Sequence, residues 1–318
     1  MHPLIENILN NFPEKLSFND CYTIALSGGV DSVVLLHIFS EIKKVAPIKL
    51  NAIHINHNIS SNSTNWEEFC KTLCSSLSIP LIVDHHSIIK NGGESLENTA
   101  RIARYSSFAK LNSRVIILAH QQNDQIETIL SQIFRGSNLH NVGAMHHITH
   151  KHDKIFWRPL LNIPRKMVEE YAKKHNLQFI TDESNFNTKY LRNFVRHDIL
   201  PLLEKWDQHI YTKLLNINSQ LQDMLTLTDE ISKQDLEFTT NSSPVINLEK
   251  FKTLSHSRQL NLINYFIKIN NIPLPSEKMI KEFIRQVIES SWDKSPKLLL
   301  SNNYELIKIK NFIHIGKF

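Results

Sequence analysis

Glycine is scarce in this chain: 7 of 318 residues, at positions 28, 29, 92, 93, 136, 143 and 316, where average proteins carry about 7%. Glycine is therefore expected only where the backbone needs it. Cysteine is scarcer still. Cys21, Cys70 and Cys74 make an odd count, which excludes an even disulfide framework, and the last two stand four apart in a helical stretch over 66–77, as core or helix-surface thiols do. No run approaches the 18 or so apolar residues of a membrane span, and the start, Met1-His2-Pro3-Leu4-Ile5-Glu6-Asn7, has neither a basic leader region nor an unbroken apolar one. An intracellular, cytoplasmic protein without membrane contact is expected. Charge of one sign is also modest: 36 basic against 31 acidic residues give +5, which permits a nucleic-acid partner without requiring one. The 17 histidines are densest over 146–152, with no acid or cysteine there to complete a familiar ligand set, and are read as surface.

What is present first is a loop. Ser27-Gly28-Gly29-Val30-Asp31-Ser32 follows the β-branched and apolar run 22–26 and opens the amphipathic segment 33–39. The first N–H groups of a helix lack intrahelical acceptors and the macrodipole adds partial positive charge, so a strand delivered through two glycines onto a helix start suits a phosphate. An ordinary serine-capped turn is the alternative, and Ser27, Asp31 and Ser32 favour the phosphate cradle over it. The loop has no lysine, so the grip of a P-loop lysine is excluded. Asp31 points instead to a magnesium-bound phosphate.

With 41% apolar residues over 318 positions, the chain can bury a large core and reads as two domains. Strands are expected at 22–26, 49–55, 81–86 and 115–120, alternating with helical spacing over 31–44, 64–78, 95–112 and 124–134. This is the pattern of an α/β fold, a doubly wound parallel sheet. In such sheets ligands gather beyond the carboxyl ends of the strands, so Ser27–Ser32, His54-Ile55-Asn56-His57 and His120-Gln121-Gln122-Asn123-Asp124 should converge on one pocket. A short strand is expected at 179–180. Beyond about 205 the pattern turns to long helices and then, over 297–315, to alternation around Ser301-Asn302-Asn303 and Lys310-Asn311, a small β-meander. The expected division is 1–205 for a nucleotide-binding catalytic domain and 206–318 for a smaller, helix-rich substrate domain.

Asp124 and Glu127 are three apart and share one helix face at a strand end. Such a pair can hold an ammonium group or a metal, or simply stabilise the helix start. Glu97 and Arg101 form a second constellation, which also suits an i,i+4 surface pair; Arg104, one turn along, is freer to meet phosphate. Arg192 and Arg196 are candidates for phosphate or RNA backbone, with a plain helix-face pair as the alternative. Arg135 with Gly136 is expected to shape the pocket wall, and His54 and His57 either line the nucleotide site or are satisfied core histidines.

Taken together these residues resemble a known family. Ser27 to Ser32 resembles the PP-loop of the N-type ATP pyrophosphatases, and later segments resemble the tRNA(Ile)-lysidine synthetases. The matching stretches include His54 to His57, Glu97 to Tyr105, Ala119 to Thr128, Arg135-Gly136-Ser137, Gly143-Ala144-Met145, Arg158 to Leu161, Asp182-Glu183-Ser184-Asn185, Arg192 to Arg196 and Ile199 to Leu203, in order over 20–205. Within the family's His-x-Asp-Asp-Gln-x-Glu-Thr pattern, Gln121 and Asn123 replace the first His and the first Asp. Asn58 and Ser60 replace a usual Gly and Arg. The resemblance implies ligation of L-lysine to the anticodon-first cytidine of a tRNA(Ile) with a CAU anticodon, using ATP and Mg²⁺ through an adenylated base. Implied roles are ATP binding for Ser27, Gly28, Gly29, Val30, Asp31, Ser32, His54, His57 and Arg101, magnesium for Asp31, and lysine for Asp124 and Glu127. Arg104 is expected at the reacting phosphate, and Arg135, Arg192, Asn193 and Arg196 on tRNA. The chain ends before the further C-terminal domain of longer members and is expected to be a shorter form. Rival readings are another adenylating PP-loop enzyme, such as a thiolase or an amide-forming synthetase, and a non-catalytic ATP sensor; a homodimer stays open.

Overall fold

The computed structural model describes residues 2–86, 96–136, 143–151, 153–183, 187–240 and 245–318. Gly92, Gly93, Ser95, Ser137, His152, Ser184, Asn185 and the side chain of Glu97 lie outside the described residues, and with Glu97 goes the expected pair with Arg101. The chain divides into two compact units, Met1–Ser131 with Met145–Tyr211, and Gln132–Ala144 with Thr212–Phe318.

The first unit holds helix α1 (Pro3–Asn10), then β1 (Cys21–Ala25), α2 (Val30–Val45), β2 (Lys49–Asn56), α3 (Ser63–Ser76), β3 (Leu81–His85), α4 (Leu96–Ala109), β4 (Val115–Ile117) and α5 (Gln122–Phe134). β5 (Ile148–Lys151), β6 (Lys154–Trp157) and α6 (Arg165–Lys174) follow. After them come α7 (Leu191–Phe194), a π-turn (Val195–Ile199) and α8 (Leu200–Trp206). The sheet runs in the order β3-β2-β1-β4-β6-β5. It is parallel from β3 to β6, with Ile24 beside Ala52 and Ile117, and closes with the antiparallel β5–β6 pair.

Burial explains the strand chemistry. Ile24, Ala52, Ile116 and Ile117 are fully buried, and α2 buries Val33, Val34, Leu35, Leu36, Ile38, Phe39 and Ile42 in the main core, so these segments are apolar in runs rather than alternately. β1 leads to β2 on one side, and the chain later returns to β4 on the other. The order of strands therefore reverses between β1 and β4, whose carboxyl ends feed Ser27 and His120.

Two local expectations are corrected. Residues 179–180 form no strand; the Ile180 N–H donates to the Gly28 carbonyl at 2.9 Å, and this contact with the loop replaces a ladder. β6 is a parallel strand that the periodicity did not mark, because its four residues begin at a lysine. Lys154 is nonetheless buried there, its ammonium donating to the Leu111 carbonyl at 2.6 Å.

In the second unit, α9 (Ile210–Thr239) is followed by β7 (Ile246–Asn247), α10 (Leu248–Thr253), α11 (His256–Ile269) and α12 (Glu277–Glu289), then by β8 (Lys297–Leu299), β9 (Tyr304–Ile309) and β10 (Phe312–Lys317). The expected meander is present as β8-β9-β10, with β7 added on the β10 edge. Its first turn places Asn302 and Asn303 at φ 63° and 61°, the left-handed pair that Asn tolerates best after Gly. Ile263, Phe251, Ile280, Leu306 and Ile313 lie at the centre of the core between these helices and strands.

Candidate functional site

The loop after β1 is held by its own serines. The N–H groups of Ser27 and Gly28 both donate to Ser32 Oγ at 3.2 Å, Ser32 Oγ donates to the Gly29 carbonyl at 2.9 Å, and the Gly29 N–H reaches Ser27 Oγ at 3.3 Å. Gly29 is the N-cap of α2 and has no side chain to satisfy the helix start, which leaves that start to a ligand. Gly28 has φ +89°, and a Cβ there would lie 2.6 Å from Ile180 Cδ1; only glycine fits. Gly29 is otherwise, since a Cβ there would meet nothing closer than Ser27 Oγ at 3.6 Å. Gly316 lies in open space without a positive φ, so the expectation that every glycine answers a backbone need fails there.

Asp31, in the first turn of α2, has its Oδ1 buried without a hydrogen-bond partner. Burial, and then the neighbouring carboxylate of Asp124, push its pKa up to about 7, against the pull of Arg165 and Arg196. A buried carboxylate oxygen with no donor, facing a phosphate-binding helix start, has the chemistry of a ligand for a hard cation.

Asp124 and Glu127 stand one turn apart at the start of α5. Gln121 caps that helix: its Oε1 accepts the Asn123 N–H at 2.6 Å, while its own N–H donates to Asp124 Oδ2 at 3.0 Å, a reciprocal capping box. Asn123 in turn accepts the Arg165 N–H at 3.2 Å and donates to the Tyr211 hydroxyl at 3.4 Å. The side chains of Gln121 and Asn123 thus brace the start of α5, while the contact to Asp124 itself comes from the Gln121 backbone N–H. Its other oxygen, Oδ1, accepts from Arg192 Nη2 at 2.6 Å and Arg196 Nη2 at 3.3 Å. Glu127 accepts from Arg192 Nε at 2.8 Å, and from Arg196 Nε and Nη2 at 2.6 and 2.8 Å. Asp124 is 8% exposed and Glu127 1%. The arginines expected on phosphate or RNA are therefore, in this structure, the counter-charges of the acids expected to hold an ammonium group.

A cavity of about 840 Å³ opens at the β1/β4 reversal. Ser27, Gly29, Asp31, Ser32, His54, His57, Arg104, Asp124, Arg192, Asn193 and Arg196 all line it, so the three strand-end clusters do converge. Gly28 and Val30 belong to the loop without lining the cavity, and Glu127 lies behind it. Arg101 is exposed on α4, its guanidinium 5.8 Å from the Tyr105 ring centre, and is no part of the lining. Arg135 is exposed just after α5 and is not among the residues lining the cavity, so the expectation that it shapes the wall is corrected.

His54 is a satisfied core histidine as well as a lining residue: its Nδ1 bonds the Leu26 carbonyl at 2.9 Å, bracing the strand end before the loop. Burial lowers its pKa, as it does that of His57, which burial and then Arg104 hold down to about 4. His120, left without a role by the sequence, lines the cavity with Nδ1 buried and unpartnered, and burial and nearby arginines, Arg158 first, hold it down to about 3. Both imidazoles are neutral at physiological pH. Thr181, Asp182, Glu183 and Trp66 also line the cavity; the first three carried only a motif resemblance, and Trp66 carried no signal. Cys70 is buried and its thiol is pushed up to about 12 by burial, an inert core thiol.

A parallel sheet whose first strand runs through Ser-Gly-Gly-Val-Asp-Ser onto a helix start, at the point of strand reversal, defines a nucleotide-binding domain of the PP-loop class. The family model described as a PP-loop domain matches residues 2–203, and that of the TilS substrate binding domain matches 246–308. The tRNA(Ile)-lysidine synthase of Nitrosomonas europaea is 38% identical over 282 residues, 87% of this chain and 61% of that protein. That of Chromobacterium violaceum is 35% identical over 299 residues, 93% of this chain and 68% of the relative. The chain belongs to the tRNA(Ile)-lysidine synthase family, and spans about 61% to 68% of the length of these two relatives. A tRNA thiolase from Methanococcus maripaludis, solved with its iron–sulfur cluster, shares the fold, with a TM-score of 0.59, 18% identity and coverage of 69% of this chain and 78% of its own. Among the described residues no helix is long and apolar enough to cross a membrane.

Proposed function

We propose that the chain ligates L-lysine to carbon 2 of the anticodon-first cytidine of a tRNA(Ile) with a CAU anticodon, consuming ATP and releasing AMP and pyrophosphate. The observation that carries this reading is the cavity lined by the glycine loop, Asp31 and Asp124, with Glu127 tied behind it to the lining arginines, in a chain of this family.

The chemistry follows from what must leave. The oxygen on carbon 2 of cytosine is a poor leaving group, so it first attacks the α-phosphorus of ATP; the new oxygen–phosphorus bond replaces the bond to pyrophosphate. The departing charge falls to the N–H groups at Gly29 and the start of α2 and to the hydroxyls of Ser27 and Ser32. Gly28 and Val30 shape the backbone of that cradle. Asp31 would hold Mg²⁺ through its unpartnered Oδ1, and the bound ion would neutralise phosphate charge. Arg104, beside His57 in the lining, is the donor for the α-phosphate.

The lysine amine then attacks carbon 2, the carbon–oxygen bond breaks, AMP carries the oxygen away, and the amine loses a proton. Asp124 and Glu127 bind and orient lysine, and either carboxylate can take that proton. Arg192, Asn193 and Arg196 meet the RNA or its phosphates at the rim. Arg101 and Arg135, outside the cavity, are assigned to the outer path of nucleotide and tRNA. The helix-rich portion beyond 205 would read tRNA features away from the anticodon.

The test is mass spectrometry of a tRNA(Ile) transcript incubated with the protein, ATP, Mg²⁺ and lysine. The expected product is cytidine that has gained one lysine less one water, with pyrophosphate formed in step. Formation of ADP and inorganic phosphate, or unaltered RNA, would reject the reading; sulfur in the RNA would favour a thiolase.

A further inference from the structure

The two acids assigned to lysine are already engaged. Two carboxylates face two guanidinium groups across contacts of 2.6 to 3.3 Å, and Glu127 at the centre is 1% exposed. The quartet is neutral. A lysine ammonium entering it as it stands would be a third cation against two anions, and each carboxylate oxygen but one already accepts from an arginine; the exception, Asp124 Oδ2, caps α5. One guanidinium must therefore leave before an ammonium group can be held.

We infer that Arg192 is the residue that leaves, and that it makes lysine binding contingent on bound nucleotide; the inference rests on the assignment of lysine to Asp124 and Glu127. Arg192 is the looser partner, with its side chain 35% exposed against 21% for Arg196. Arg196 grips Glu127 with both Nε and Nη2, whereas Arg192 reaches one oxygen of each acid. Both arginines line the cavity that the glycine loop lines, so the choice rests on the looser hold of Arg192. A triphosphate offers a planar, two-pronged donor several charged oxygens in the same matching fork as a carboxylate. When the nucleotide enters, the guanidinium of Arg192 moves to phosphate and the carboxylate oxygens it vacates take the ammonium of lysine. Lysine is then admitted only where a phosphorylated base can follow, so specificity includes the order of assembly.

The exchange predicts a coupling that a structural salt bridge would not produce. Equilibrium dialysis of labelled lysine would be run on the full chain with and without α,β-methylene ATP and Mg²⁺, an analogue that cannot be split between its first two phosphorus atoms. Wild type is expected to bind lysine at least about tenfold more tightly with the analogue. Arg192→Ala should bind lysine as tightly without the analogue as wild type does with it. Arg192→Lys, which keeps a charge and guards against loss of folding, should show the same change in smaller measure; thermal melting establishes that both fold. Equal affinity in wild type with and without the analogue, or no gain in the folded variants, would overturn the exchange alone. If no form binds lysine under any condition, the assignment of lysine to these acids falls, and the exchange with it.

Discussion

The glycine loop and the acid–arginine quartet stand at the same cavity, with Glu127 behind its wall, and are built by opposite means. The loop is local: six consecutive residues hold one another through Ser27 and Ser32, and what they offer a ligand is main-chain N–H. The quartet is remote. Asp124 and Glu127 meet Arg192 and Arg196 across 65 to 72 residues of chain, and what is offered is side-chain charge that is already neutralised. A backbone cradle stands ready, because an N–H group needs no counter-ion. A buried carboxylate pair cannot stand bare, since desolvation would drive it to take a proton or a partner. The difference predicts binding by addition at the first element and by exchange at the second.

The largest expected effect falls where the two elements meet. Asp31 belongs to the loop by sequence, yet it feels Asp124 across the cavity. Asp31→Ala should lower turnover of Mg-ATP by about 10² to 10³, the range seen when one preorganised electrostatic contact is removed. Affinity for tRNA, measured by filter binding, should change little. Parallel loss of both would show misfolding instead and would erase the contrast between a charged loop residue and the quartet.

Next in size is Glu127→Gln. The substitution leaves two guanidinium groups facing one carboxylate. Fully buried, that would cost about 3–5 kcal/mol; with the arginines 35% and 21% exposed, about 1–3 kcal/mol of unfolding free energy is expected once solvent screening is allowed for. Steady-state kinetics should show the KM for lysine rising more than that for ATP. An unchanged lysine dependence would remove Glu127 from the lysine site and leave the quartet a purely structural knot.

How far each element could be read from sequence follows the same division. The loop, the parallel sheet and the meander turn are set by neighbours along the chain: Gly28 by its turn, β1 and β4 by apolar runs, Asn302 and Asn303 by their tolerance of positive φ. The site's lining from three strand ends was legible for the same reason, since strand order alone brings them together. The quartet was not. The spacing of Asp124 and Glu127, and of Arg192 and Arg196, marks two helix faces, but nothing local says that the faces oppose each other, so the arginines were read toward phosphate. Trp66 is not legible either, since a tryptophan's place on a cavity wall is a product of packing; for His120 the strand end gives the place, and packing alone gives the burial. The capping box at Gln121 escaped because the family pattern drew attention to what it replaced rather than to what an amide does at an N-cap.

The two glycines separate shape from ligand within the loop. Gly28→Ala should destabilise the free protein by about 1–2 kcal/mol, the cost of a left-handed residue with a Cβ, with the contact to Ile180 added. Adding Ile180→Val would relieve the contact and leave the strain. Gly29→Ala has ordinary φ and open space and should shift thermal stability by little, while weakening binding of the ATP analogue if phosphate closes on that backbone. Equal destabilisation by both substitutions would mean that the second glycine, too, is there for shape.

The smallest effect is also the most particular, and it concerns the free protein rather than turnover. Asp31 keeps its proton in the folded state up to about pH 7, whereas in the unfolded chain it loses it near the ordinary value of 3.8. The folded state therefore binds the proton more tightly, and stability is lost as pH rises through that window, the loss being complete above about 7. Asp31→Asn removes a group that would have to be ionised and unpartnered at high pH. The variant should melt at the same temperature as wild type below about pH 4. It should gain progressively between pH 4 and 7 and hold a constant lead above that. Differential scanning calorimetry at four or five pH values reads this directly, and Mg-ATP should reverse the order by stabilising wild type alone. A melting difference that is flat with pH would show that the carboxylate is solvated in the free protein. The loop would then carry no strained charge waiting for a cation, and the contrast with the neutralised quartet would narrow to one of chain distance only.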